Sequence, residues 1–425
     1  MSLNAYHMLR SEIELMAPAG DFESLMAAIQ GGADAIYFGV GKLNMRSGSA
    51  KNFSIDDLPK ITGICKEAAI KSYLTLNIVM YDGEMEDVKM LISKASEAGI
   101  SAIIASDPAV FQLVQRHQIP IHISTQANIS NIESVKFYAQ FADVMVLARE
   151  LSIDQMKHIC DGVQQEQIKG PDGELIRIEV FIHGALCMAI SGKCYLSLHQ
   201  SNKSANRGAC RQICRKGYEV TDLESGEKLN VDHQYIMSPK DLNTLSFIDK
   251  IVDSGVRILK IEGRGRSPEY VKTVTQSYHD ALVAIENGTF NEEFIKASED
   301  KLERVFNRGF WDGYYLGKKL GEWSGKYGSS ATKRKVYIGK GINYFSKIGV
   351  AEFLIESHAL HVGDEIIITG PTTGVYQSIV DEIRVDLKNV DSSTKGEYCS
   401  IPVDTKIRRA DKLYKVVDAR QVAPQ

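Results

Sequence analysis

A (β/α)8 barrel of the TIM type, followed by a small all-β domain, is the fold this sequence predicts, and three observations predict it. Over the first 265 residues short apolar runs alternate with amphipathic stretches, the pattern of repeated βα units around a parallel sheet. Eight such runs can be counted, the number that closes a barrel. Beyond residue 335 the pattern changes to β-branched and aromatic residues alternating between turn signals, which reads as short antiparallel strands.

The predicted barrel strands lie at 14–19, 35–40, 72–78, 102–106, 121–125, 144–148, 178–184 and 258–263. Between the first two, Asp21 is placed to cap a helix in which Leu25, Ala28 and Ile29 share a face, and Gly31 and Gly32 are placed to end it. Val88, Leu91, Ile92 and Ala95 mark another helix over 85–98. A long insertion, about 185–256, separates the seventh strand from the eighth. Connections of ordinary length run to about 2–6 residues, so an excursion of this size is expected to carry function. It leaves from the C-terminal face, where barrel active sites lie. Helical patterns follow at 270–287 and 292–310, and the glycine- and serine-rich, basic stretch 321–335 reads as a linker. The expected organisation is therefore a barrel over 1–320, a linker over 321–335 and a small all-β domain over 336–425, a β-barrel first, with a sandwich as the alternative.

With 44% hydrophobic and 24% charged residues the composition is that of a globular protein. No run approaches the roughly 18 apolar residues of a membrane helix. The first residues lack a secretory leader, so a cytoplasmic location and reduced thiols are expected. A net charge of −4 supplies no overall field for nucleic acid, and any RNA site has to be local.

Four of the seven cysteines fall in the insertion, spaced Cys187-x6-Cys194-x15-Cys210-x3-Cys214. In a reducing compartment such a cluster points to a metal site. Zinc and an iron–sulfur cluster both accept four thiolates, and the spacing leaves both open. Between Val180 and Tyr218 there is no Asp or Glu, whereas Lys193, Lys203, Arg207, Arg211, Arg215 and Lys216 are cationic. These charges favour thiolates and offer phosphate contacts. They would equally form the solvated face of a structural zinc knuckle.

Strand alternation places Glu179, Phe181 and His183 on one side of the seventh strand, and Lys260 and Glu262 on one side of the eighth. Glu179 and Lys260 are then candidates for a buried ion pair. His183, next to the cysteines, is the first acid–base candidate, with a packed structural histidine as the alternative. Asn77, Gln126, Arg149 and Arg264 sit at strand ends, and Arg149, Lys260 and Arg264 together would suit a dicarboxylate or a phosphate. Two stretches mix basic and aromatic residues as RNA-binding surfaces do: the loop with Arg46, Lys51 and Phe53, and residues 305–318. Aromatic packing at the barrel bottom or at the domain junction is the alternative for the second.

Residues 179–197, EVFIHGALCMAISGKCYLS, together with ELMAPAGDFESLMAAI, ADAIYFG, HISTQANISN, MSPKDL and LKIEGRGRSPEYV, resemble the collagenase-like peptidase family of undetermined catalytic type. The resemblance spans nearly the whole chain. No serine-nucleophile motif, HExxH or paired acidic motif supports peptide hydrolysis. What the resemblance implies instead is oxygen-independent hydroxylation, of the wobble uridine of tRNA with prephenate as oxygen source in the most similar members, and of ribosomal RNA or ubiquinone precursors in others. It also implies that Cys187, Cys194, Cys210 and Cys214 ligate an iron–sulfur cluster, [4Fe–4S] first, with zinc as the alternative occupant. On this reading Glu179, His183, Lys260 and Glu262 are the catalytic candidates, and Asn77, Gln126, Arg149, Arg207, Arg211 and Arg264 the substrate-binding ones. A paralogous partner subunit is a further expectation, and a membrane is not. A collagenase-like peptidase and a non-catalytic RNA-binding or assembly subunit with a structural metal are the competing functions.

Overall fold

The computed structural model describes residues 9–226, 228, 235–317 and 320–420. Seven strands pair in parallel and in chain order: β1 (Glu14–Pro18), β2 (Ala35–Gly39), β3 (Lys71–Leu76), β4 (Ala102–Ala105), β5 (Ile121–Ile123), β6 (Val144–Val146) and β7 (Arg177–Ala185). After them come β8 (Asp241–Asn243), β9 (Ile258–Ile261) and β10 (Phe310–Trp311). Strand β9 pairs in parallel with both β1 and β7, which closes the barrel. The eight strands of the closed ring coincide with the eight apolar runs of the sequence.

Two strands were not expected. β8 runs antiparallel to the end of β7, and β10 pairs with β8 in turn. Segments of three and two residues are too short to show a period, so the sequence pattern is silent about them. They extend the sheet at the C-terminal rim, beside the insertion.

Helices fill the outer layer as the periodicity predicts. In α1 (Phe22–Gln30) the Asp21 side chain accepts a hydrogen bond from the Ser24 N–H at 2.9 Å, and Gly31 ends the helix. In α3 (Met85–Ala98), which follows α2 (Leu58–Glu67), Val88, Leu91, Ile92 and Ala95 are the buried face. The others are α4 (Pro108–Arg116), α5 (Ile132–Ala139), α6 (Ile153–Gln165), the short α7 (Leu196–Ser201) inside the insertion, α8 (Ile248–Asp253), α9 (Pro268–Glu286) and α10 (Glu292–Arg304). α10 ends before the expected position because the following residues enter β10. The main core lies between barrel and helices. Inside the barrel only a small apolar cluster remains, among them Met16, Tyr37, Tyr73 and Ile104.

Between Lys333 and Asp418 an eight-stranded antiparallel sheet has its own core, with Ile338, Phe353, Ile366, Ile368 and Leu413. Its outer strands, 374–379 and 388–390, do not pair with each other among the described residues, so the sheet is open where a barrel was expected. The strands at one edge are only three residues long and do not reach across. The sheet rests on α1 and α9: the Gln30 side chain donates to the Thr373 carbonyl and accepts from the Val375 N–H, each at 2.9 Å, and Lys272 donates to the Val375 carbonyl.

The seam between β7 and β9 leaves no room for a side chain at Gly184. Its φ is +104°, and a Cβ there would lie 2.4 Å from the Glu262 carbonyl oxygen. Gly184→Ala is therefore expected to cost about 2 kcal/mol or more. Gly63→Ala, in α2 with open space around it, is expected to be neutral or mildly stabilising. Urea unfolding followed by circular dichroism checks both, and equal stability of the two variants would contradict the assigned seam.

Candidate active site

The barrel interior carries charge at successive levels, and each carboxylate there has a cationic partner. At the bottom Glu14 accepts from Lys71 and the Tyr73 hydroxyl at 2.7 Å and pairs with Arg177 at 3.2 Å. Above it Glu179 is fully buried, 2.7 Å from Lys260 and 3.2 Å from His122, whose ring packs on Tyr73. Burial alone would raise the Glu179 carboxyl; Lys260 and His122 outweigh it and hold the group at about 2. At the next level Glu262 pairs with Arg46 at 2.6 Å. Burial again opposes ionisation, and Arg46, Arg149 and Arg264 overcome it, leaving Glu262 at about 2. Arg264 donates to Thr75 at 2.8 Å, and burial brings its guanidinium down to about 10. The Tyr37 hydroxyl, raised by burial and by Glu262, lies between these levels and donates to the Ile261 carbonyl at 2.9 Å, while its ring faces the Lys260 ammonium at 4.6 Å.

Over these levels opens a cavity of about 230 Å³, walled by the strand ends on one side and the insertion on the other. Arg46, Arg149, Arg215, Lys260, Arg264, Arg266 and Arg308 line it. Against these seven cations stand three carboxylates, Glu179, Glu262 and Asp241, the last bound to Arg266 at 3.2 Å and to Arg308 at 3.3 Å. The excess of positive charge in a partly dry cleft favours anionic ligands, carboxylate or phosphate. Asn77 and Gln126 contribute neutral polar groups to the same wall and contact each other at 3.4 Å.

All four cysteines of the insertion line this cavity. The segment that carries them is held to the barrel by Arg215, which donates to the Leu186 carbonyl at 2.6 Å and to Ser238 Oγ at 3.0 Å. Burial raises the Cys194 and Cys214 thiols, and the charges of the neighbouring cysteines raise them further, while Arg215 acts to lower Cys214. The four sulfurs thus share one electrostatic neighbourhood. Among the described residues no three His, Cys, Asp or Glu side chains converge on a single ion position. Zinc and an iron–sulfur cluster are both held by four thiolates. Four thiols without another donor, facing a cationic wall, fit an anionic cluster of that kind.

The expected site residues divide. Cys187, Cys194, Cys210, Cys214, Asn77, Gln126, Arg149, Lys260, Glu262 and Arg264 line the cavity together. Glu179 lies beneath it as the partner of Lys260 rather than on its surface. His183 is a correction to the acid–base assignment: the register slips between Phe181 and His183, which turns the imidazole away from the barrel axis. It packs against Tyr270, Tyr278 and Phe310, 1% exposed, and burial, with the Arg266 charge, lowers it to about 3. A neutral imidazole without solvent access is a packing residue. Arg207 is a second correction, since it pairs with Glu84, donates to the Val79 carbonyl and lies over the Tyr81 ring at 4.1 Å, pinning the insertion to the β3–α3 loop. Arg211 is exposed and outside the cavity wall.

Sequence reasoning passed over His122, Tyr73, Arg266 and Arg308. Alternation in β5 already turns His122 inward with no hydrocarbon partner of matching period, and that signal was available. Arg266 and Arg308 converge through Asp241 from distant segments, which no spacing reveals. In the loop after β2, Arg46 enters the cavity, Lys51 pairs with Asp21 at 2.9 Å, and Phe53 is buried against Phe22 and Phe38. The described part of the aromatic stretch, 305–317, lies at the barrel mouth, where Phe310 and Trp311 form β10, rather than at the bottom, and residue 318 lies outside the described residues.

Residues 20–325 match the model of peptidase family U32. A protein named collagenase from Porphyromonas gingivalis is 57% identical over 405 residues, covering 95% of this chain and 98% of its own. The tRNA hydroxylation protein P1 of Bacillus subtilis is 30% identical over 393 residues, 90% of this chain and 89% of that one. The 23S rRNA 5-hydroxycytidine C2501 synthase of Escherichia coli is 34% identical over 320 residues, covering 73% of this chain and 46% of its own length. Among the described residues no helix is long and apolar enough to cross a membrane.

Breaking the central pair from one side leaves a buried charge without its partner. Lys260→Met is expected to destabilise the protein by about 3–5 kcal/mol, and adding Glu179→Gln should recover most of that loss. Because Glu179 is depressed from 4.5 to about 2, its contribution is present above pH 4.5 and is lost as pH falls toward 2. In Glu179→Gln that part of the acid dependence should be missing. Urea midpoints measured from pH 7 to pH 2.5 test this, and an unchanged acid limb would contradict the pairing.

Proposed function

The chain belongs to peptidase family U32, and from that membership we propose that it is an RNA-hydroxylating enzyme, acting without molecular oxygen on a uridine at the wobble position of tRNA. The observation that carries this reading is a cationic cavity with four cysteine thiols on its wall. Relatives named for hydroxylation of tRNA and of ribosomal RNA support it.

In this reading Cys187, Cys194, Cys210 and Cys214 hold an iron–sulfur cluster, which when bound supplies one-electron chemistry at the cavity wall. The protein's own groups do the rest. Arg149, Lys260 and Arg264 receive a small dicarboxylate, prephenate as the oxygen source, by charge-assisted hydrogen bonds. Asn77 and Gln126 present amide donors and acceptors to the edge of the uracil ring. Arg266 and Arg308, braced by Asp241, take the phosphate beside the target nucleotide. Glu179 does not touch the substrate; it fixes the Lys260 ammonium in place. Glu262 does the same for Arg46 and Arg264.

A peptidase reading has the name of the Porphyromonas relative in its favour. The chemistry of the cavity favours it less. Among the described residues, no serine, threonine or cysteine of the lining is hydrogen-bonded to a histidine, the arrangement that would activate a nucleophile.

Nucleoside mass spectrometry of tRNA from a deletion strain tests the proposal. Hydroxylated uridine should be lost, should return with the wild-type gene, and should stay absent with Cys187→Ala or Arg264→Ala. A nucleoside profile unaffected by the deletion would overturn it.

A further inference from the structure

Beside the cavity lies a second, smaller recess walled by Trp311, Tyr314 and Trp323, with Met188 at its edge. These are the only tryptophans in the chain. The recess shares Arg149, Leu186, Cys187, Met188 and Ser191 with the main cavity, so the two adjoin across a common wall. Its walls are built in. Trp323 is tied to the insertion by a bridge to Pro239, by the Lys240 N–H donating to the Glu322 carbonyl at 3.0 Å, and by the Ser324 N–H donating to the Ser238 carbonyl at 2.7 Å. Trp311 and Tyr314 meet edge to face with ring centroids 5.1 Å apart.

Two donors on residues that line this recess have no acceptor. Trp311 is 5% exposed and its indole N–H makes no hydrogen bond, and the Arg149 Nε–H is likewise buried without one. Buried donors of this kind are normally satisfied. At the same place Tyr314 and Met188 keep 38% and 43% of their surface exposed, which leaves apolar surface open to a ligand. Aromatic walls, two unanswered N–H groups and a guanidinium balanced by the Glu150 carboxylate together suit a planar, uncharged ring that carries a carbonyl acceptor.

We propose that this recess is a stacking site for a nucleobase, one next to the nucleotide whose ring enters the cavity. The inference rests on the RNA reading given above and adds a second contact point to it. An unstacked base lies against Trp323 and Tyr314, and its ring carbonyl accepts from the Trp311 indole or from Arg149. Placed there, it fixes how far the adjacent nucleotide reaches toward the cysteines. Uracil, cytosine and guanine qualify, whereas adenine has no ring carbonyl.

Because both tryptophans lie at the recess, intrinsic fluorescence reads the site directly. Uridine 5′-monophosphate and a short oligouridylate should quench it, and ribose 5-phosphate should not. Trp323→Ala should weaken oligouridylate binding about 5- to 100-fold, the range of one lost base–aromatic stack. Trp323→Phe should retain most of the affinity, and Tyr314→Ala, at an exposed position, gives an independent reading of the same wall. Equal quenching by ribose 5-phosphate, quenching by an aromatic dipeptide with none by the nucleotide, or unchanged affinity in both alanine variants would overturn the proposal. Nucleoside analysis separates the two levels. Wild-type protein that modifies RNA while Trp323→Ala does so equally overturns the recess alone; wild-type protein that modifies none overturns the functional reading and this inference with it.

Discussion

Lys260 and Glu179 meet 2.7 Å apart inside the barrel, across the seam where β9 closes on β7, and much of the site follows from that contact. A carboxylate without solvent access is tolerated only with a counter-charge and hydrogen bonds to it. His122 completes the set from β5, two strands along the ring. The same requirement repeats one level up, where Glu262 is answered by Arg46 and by the charges of Arg149 and Arg264. Where many barrels fill their interior with branched hydrocarbon, this one stacks ion pairs toward its C-terminal rim.

The last level carries more cations than carboxylates. That surplus is costly unless something negative occupies the mouth, and the insertion brings four thiols to the place where negative charge is favoured. Arg215 joins the two halves of this arrangement, holding the backbone next to Cys187 while its own charge acts on Cys214. The cationic floor and the thiol-bearing wall therefore face the same cavity, and on the proposed reading the floor receives anionic substrate groups while the wall holds the cluster.

Much of this was legible in the sequence, for physical reasons that can be named. Period-two and period-3.6 patterns are local, so the eight ring strands and helices such as α1 and α3 were found where expected. The Glu179–Lys260 pair followed from alternation on neighbouring strands. His183 was misplaced because a register slip of one residue reverses the face of everything beyond it, and nothing in IEVFIHG announces the slip. Arg207 was assigned to substrate because charge counts do not see a partner, Glu84, more than a hundred residues away. β8, β10 and the Asp241 bracket of two arginines depend on contacts between remote short segments, which local patterning does not encode. The cysteine spacing marked four thiols as a group, and all four line one cavity; it left the metal open, since zinc and an iron–sulfur cluster both accept four thiolates.

On the proposed reading the four thiols act together on one inorganic body in a cavity lined by cations. Iron, zinc and acid-labile sulfide determined on full-length protein purified without oxygen address it most directly. About four irons and four sulfides per chain are expected, lost together when any one of Cys187, Cys194, Cys210 or Cys214 is replaced by alanine. A single zinc per chain without sulfide, or iron content indifferent to these replacements, would contradict it.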